Sequence, residues 1–155
     1  MMILIQIQKN VREISSSVER DENLRLSPLV LLQLVQAAGC AQSGDWQGIE
    51  TKAGILTIRS DIDGPEGFPD QTLNQSYEIL KLRFTGTDLQ FQSGVGSYQP
   101  LFRFIEDFEF RYSGGTELEI EVKGQKNSIF NAQESRSLPF RFFLWNYSRN
   151  LFERN

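Results

Sequence analysis

The sequence predicts an α+β domain: an N-terminal amphipathic helix and a short second helix packed on an antiparallel β-sheet. Three observations carry this expectation. Leu4, Ile7, Val11, Ile14 and Val18 fall at alternating spacings of three and four, the apolar stripe of a helix. Beyond Gly54 the apolar residues recur with period two, as they do in half-buried strands. Twelve phenylalanines against two methionines favour flat aromatic packing in sheets.

The first helix is expected over residues 3–20, with Gln6, Lys9, Arg12, Glu13 and Ser16 on its wet side. Ser15, Ser16 and Ser17 weaken its end, because short hydroxyl side chains compete for backbone groups. The charged run from Glu19 to Asn23 then reads as a solvated connector. Ser27 before Pro28 has the form of a helix start, with the serine as N-cap and the proline at the first helical position. A buried helix over 28–38 follows, since Leu29, Val30, Leu31, Leu32, Leu34, Val35 and Ala38 are apolar on nearly all sides, and Gly39 supplies its left-handed stop. A loop through Ser43, Gly44 and Gly48 leads into residues 54–155, which are expected to be mainly antiparallel β.

Ile55 to Arg59 is the first strand, Tyr77 to Phe84 an irregular second, and Leu89 with Phe91 a third, with Gly86 and Thr87 turning between the last two. Phe108, Phe110 and Tyr112 alternate with Asp107, Glu109 and Arg111. After the turn Ser113-Gly114-Gly115 the alternation resumes as Leu118, Ile120 and Val122 against Glu117, Glu119 and Glu121, the clearest hairpin of the chain. Its acidic side reads first as a wet face and second as a dock for a basic neighbour. Phe140, Phe142 and Leu144 form the last strand. No composition shift marks a boundary, so residues 1–155 are read as one domain, a normal size for a single core.

A net charge of −4 with scattered Lys and Arg argues against nucleic acid as a partner. Histidine is absent, which removes the commonest general acid–base near neutral pH and the commonest transition-metal ligand, so no catalytic residue is expected. Cys40 is the sole cysteine; it permits no internal disulfide and reads as a small buried thiol. The apolar run in MMILIQIQKN is far below the ~20 residues that span a bilayer, so the chain as given is expected to be soluble.

Asp61, Asp63, Glu66 and Asp70, with Gly64 and Gly67 among them, are the metal candidates. Asp-x-Asp-Gly opens as calcium loops do, because hard cations need several oxygens and a glycine lets the chain curl. The spacing departs from the EF-hand, so a plain Asp/Gly turn is the weightier reading, and no cofactor other than calcium is suggested. Glu106 and Asp107, as sequence neighbours, point to opposite sides of a strand and make a poor hydrolase pair. Trp46, Trp145 and Tyr98 could line a ligand groove, although aromatics in so phenylalanine-rich a chain are more often core.

Taken in order, the striped helix, Leu34-Val35-Gln36-Ala37-Ala38-Gly39-Cys40, Ile58-Arg59-Ser60-Asp61-Ile62-Asp63-Gly64, Tyr77-Glu78-Ile79, Gln99-Pro100-Leu101 running into Phe108-Glu109-Phe110-Arg111-Tyr112, and the ending Arg154-Asn155 resemble the minor pilins of the PilW type and the J-type pseudopilins of type II secretion. The resemblance implies a pilin-like fold and a non-catalytic subunit near the tip of a type IV pilus or pseudopilus, with other pilins or pseudopilins as partners. Leu4, Ile7, Val11 and Ile14 are the positions it assigns to packing between subunits, while Val18 is expected to face its own sheet. It also implies residence in the bacterial inner membrane and periplasm before assembly, then in a filament at the cell surface. Family members carry a basic leader and a longer apolar helix half that this sequence lacks, so membrane contact is expected only through such a preceding segment. The rival reading is a freestanding β-rich module for sugar, peptide or calcium, with the first helix packed on its own sheet.

Overall fold

The computed structural model describes residues 2–40, 46–62, 69–73, 75–114, 116–124 and 137–144, with the side chains of 2–8, 16–17 and 76 left aside. One helix, α1 (Met2–Gln36), precedes β1 (Ile49–Lys52), β2 (Ile55–Arg59), β3 (Ile79–Phe84), β4 (Leu89–Ser93), β5 (Gln99–Phe102), β6 (Ile105–Tyr112), β7 (Glu117–Gly124) and β8 (Ser137–Phe143). The strands form two antiparallel sheets, β1-β2-β3-β4-β5 and β6-β7-β8.

This corrects the expected architecture in two ways. The helices expected at 3–20 and 28–38 are one continuous element, and the connector between them, Glu19 to Asn23, is helical. Among the described residues the body is a pair of sheets beneath that one N-terminal helix, so a short second helix packed on a sheet and a pilin-like fold are not what they display. Ser27 and Pro28 explain the misreading. A proline inside a helix withholds the N–H that would reach the carbonyl four residues back, here that of Leu24. The Ser27 hydroxyl donates to that same carbonyl at 2.9 Å, and Ser27 is wholly buried. The serine thus replaces the bond the proline removes, and the helix runs on.

Gly39, at φ 73°, ends the helix as expected, and its N–H donates to the Arg59 carbonyl at 2.9 Å. The helix exit is thereby tied to β2. Two strands escape the sequence reading. β1 joins β2 through Ala53 and Gly54, both at positive φ, the condition for a two-residue type I′ turn, with Lys52 opposite Ile55. β5 carries Pro100 within an edge strand. The expected hairpin is present, Phe108, Phe110 and Tyr112 facing Val122, Ile120 and Leu118, and β8 completes its sheet with Phe140 against Ile120 and Phe142 against Leu118.

A single core joins the parts. Leu24, Leu31, Val35 and Ala38 from the helical segment meet Leu56, Ile58, Leu82 and Leu89 of the larger sheet and Phe108, Leu118, Ile120, Val122 and Phe142 of the smaller. Each of these side chains larger than alanine contributes about 1.5–3 kcal/mol by leaving water. At the near end of the contact, Arg20 lies over the Phe104 ring at 5.4 Å and Asn23 Nδ2 donates to the Arg103 carbonyl at 3.3 Å. Gly124 lets Leu24 settle closely, because a Cβ there would stand 3.1 Å from Leu24 Cδ2. β1 lies against β6, while the other edge strands, β5 and β8, contain Pro100 and Pro139.

Candidate functional site

Before Arg20 the helix leaves the body. Every described side chain from Lys9 to Glu19 is exposed, and Val11, Ile14 and Val18 are 60%, 53% and 52% exposed. Val18 does not face its own sheet, contrary to expectation, because the sheets end before that turn of the helix. Leu4 and Ile7 lie on the same helix, with side chains outside the described set. The ion pair Lys9–Glu13, at 3.9 Å and one helical turn apart, is exposed and adds little.

The stripe extends beyond the residues the sequence reading picks out. Leu29 and Leu32 are exposed on the far side of the packed half. At about 100° per residue they share the angular position of Val11, Ile14 and Val18. The buried set Leu24, Ser27, Leu31, Val35 and Ala38 is rotated from it by roughly 130°. The helix therefore has two apolar lines, one sealed and one open. The signal was legible in the recurrence 11, 14, 18, 22, 25, 29, 32, which only Glu22 and Arg25 interrupt with charge.

The acidic turn is the second place of interest. Asp61 is fully buried; its N–H donates to the Cys40 carbonyl at 3.1 Å, and its Oδ2 accepts from the Gln71 N–H. The Asp61 carboxyl holds its proton more tightly than an ordinary aspartate, first by desolvation and then by the charges of Asp70 and Glu78, against the lowering effect of backbone hydrogen bonds from Gln71 and Asp70. Thus the structure brings together Asp61 and Asp70, while Asp63 and Glu66 lie outside the described residues. The sequence reading overlooks Glu78, which is also fully buried. Its Oε1 accepts from Ile62 N–H at 3.2 Å and its Oε2 from Gln75 N–H at 2.7 Å, the latter being the return half of a capping box. The Gln75-x-x-Glu78 spacing was the available signal. Among the described residues, no three metal-ligating side chains form a ready cage.

The acidic face of the hairpin is partly compensated, since Asp107, Glu109, Glu117, Glu119 and Glu121 share Arg111, Lys123 and Arg141. Lys123 reaches Asp107 at 3.2 Å, Glu121 at 3.8 Å and Glu109 at 3.9 Å, and Arg141 Nη2 reaches Glu119 at 2.8 Å. The hydrogen bond to Asp107 and then the charge of Glu121 hold the Lys123 ammonium above its ordinary range. A depression of about 370 Å³ on this face is lined by Glu109, Glu119, Glu121, Phe140 and Arg141. Ion pairs of this kind, exposed to water, make a solvated face that still carries more negative than positive charge.

The remaining candidates are occupied. Trp46 Nε1 donates to the Gln71 carbonyl at 3.2 Å, and Tyr98 carries the Arg83 guanidinium 3.7 Å above its ring. Trp145 lies outside the described residues. Asp107 takes the Phe108 N–H at 2.9 Å as well as Lys123, so it has no partnership with the exposed Glu106. Among the described residues, no helix is long and apolar enough to cross a membrane. The chain matches no family model, no curated protein and no solved structure.

Proposed function

We propose that this chain is a non-catalytic filament subunit, a minor pilin or pseudopilin of a type IV pilus or a type II secretion pseudopilus, acting at the tip or in the start of assembly. The observation that carries the proposal is the open apolar line of Val11, Ile14 and Val18 on a helix that stands away from its own body. Water penalises such a line at about 25 cal/mol for each Å² left uncovered, and other helices with matching stripes relieve the penalty. Its partners are therefore the N-terminal helices of neighbouring subunits, with Leu4 and Ile7 continuing the line, and its working place is the cell envelope. The lack of histidine and the ion-paired side chains of the hairpin face fit a structural role. The freestanding-module reading needs the helix to be covered by its own sheets, and from Lys9 to Glu19 it is not.

The test uses Val11→Asp and Ile7→Asp in cells that assemble the filament. Both proteins should be purified with the melting temperature of the parent and be missing from sheared filaments. Incorporation of either variant at the parental level, or a parent chain that never enters filaments, overturns the proposal.

A further inference from the structure

Asp61 poses a problem that its hydrogen bonds do not solve. Its Oδ2 has the Gln71 N–H, yet Oδ1 is sealed from solvent and has no hydrogen-bond partner among the described residues. A buried carboxylate oxygen left bare costs far more than an exposed one, and a bound ion is one of the standard remedies. Backbone hydrogen bonds from Gln71 and, more weakly, from Asp70 favour the carboxylate, while the charges around it oppose it. Asp70 and Glu78 add negative charge, and no lysine or arginine is among the groups that perturb it. Glu78 has each of its oxygens engaged by a backbone N–H, so it contributes charge and no vacant ligand. Asp70 Oδ1 anchors Thr72 through N–H and hydroxyl, which fixes its carboxylate beside the turn. Gln71, at φ 66°, bends the chain so that residues 70 and 71 come back onto Asp61.

We propose that this turn binds a hard divalent cation, calcium by its chemistry, with Asp61 Oδ1 and the Asp70 carboxylate as direct ligands and Glu78 as supporting charge. The donors are oxygens, which excludes a preference for soft metals. Two carboxylates nine residues apart in sequence, with Gln71 at positive φ beside one of them, preset no regular octahedron; calcium accepts this and magnesium does not. Two carboxylates leave most of the coordination shell to backbone carbonyls and water. The affinity then falls in the class of extracellular modules, about 10⁻⁴–10⁻³ M. This inference does not depend on the filament reading, because the turn belongs to the sheet body and not to the open helix.

The whole chain, stripped with chelator, is to be melted with calcium, with magnesium and with neither. Calcium at about ten times its dissociation constant should raise the melting temperature by about 3–6 °C, and magnesium at the same concentration by less than half as much. Asp61→Asn should abolish the calcium response while melting, without metal, at or above the parental temperature, and Glu106→Gln should respond like the parent. Terbium supplies a readout that is independent of melting: Trp46, bonded to the Gln71 carbonyl, should sensitise its emission, calcium should compete it away, and Asp61→Asn and Asp70→Asn should each remove it. An equal response to magnesium, a parental response in Asp61→Asn, or terbium emission that survives both substitutions overturns the proposal.

Discussion

The two halves of α1 are continuous in backbone and opposite in surroundings. From Leu24 onward the residues that face the sheets are sealed by them, and from Lys9 to Glu19 the same kind of apolar spacing faces water. Periodicity reports that a helix has an apolar face. It does not report what lies beneath that face, which depends on where the sheets stop. The packed half shows in addition that covering one line of a helix leaves another open, since Leu29 and Leu32 are exposed on the residues' far side while Leu31 and Val35 are enclosed.

The sharpest way to break this contrast is to truncate one residue from each half. Leu31→Ala should cost about 2–5 kcal/mol in urea or guanidinium unfolding, and Val11→Ala should stay within about 0.5 kcal/mol of the parent. Comparable losses would mean that the outer half is core after all.

The join between the halves can be probed through the Leu24 carbonyl. Ser27→Ala leaves that buried oxygen without the hydroxyl, at a cost of about 1–3 kcal/mol. Pro28→Ala supplies a backbone N–H in its place, so Ser27→Ala should cost clearly less on that background. A double-mutant cycle with no coupling would show that serine and proline act separately.

The smallest effect belongs to the body alone. The hydrogen bond and charge of Arg59 hold the Glu50 carboxyl below the ordinary glutamate range. The folded state therefore binds this proton less readily than the unfolded one. The stabilisation is present at neutral pH and is lost as the pH falls below the usual glutamate value through the lower folded one. The Glu50 side chain is partly exposed, so screening limits the loss to roughly a few tenths of a kcal/mol. Glu50→Gln should flatten that part of the acid stability profile and leave the helicity of the outer half unchanged by circular dichroism.

Much of the sheet body was legible because its strands alternate cleanly and its turns carry glycine. The β6–β7 hairpin and the stop at Gly39 follow from such local rules. The continuous helix was not legible, because Ser27-Pro28 has the same form whether it starts a helix or repairs one. Only the depth of burial around the Leu24 carbonyl distinguishes the two. β1 was missed since four residues, IETK, show too little alternation, although Ala53-Gly54 before Ile55 was a hairpin signal. In the acidic turn, Asp61 and Asp70 were visible as carboxylates in a Gly-rich stretch. Glu78 was not, because its part in that neighbourhood depends on the pairing of Ser60 with the Glu78 carbonyl, a contact across 18 residues of chain.

Pro100 and Pro139 sit in strands that border the sheets away from the β1–β6 side, and neither proline has an N–H to give an incoming strand. Concentrated solutions of this protein should accordingly clump through greasy helix-to-helix contact that a mild detergent undoes. Ribbon-like fibres that bind amyloid dyes are not the expected form of failure.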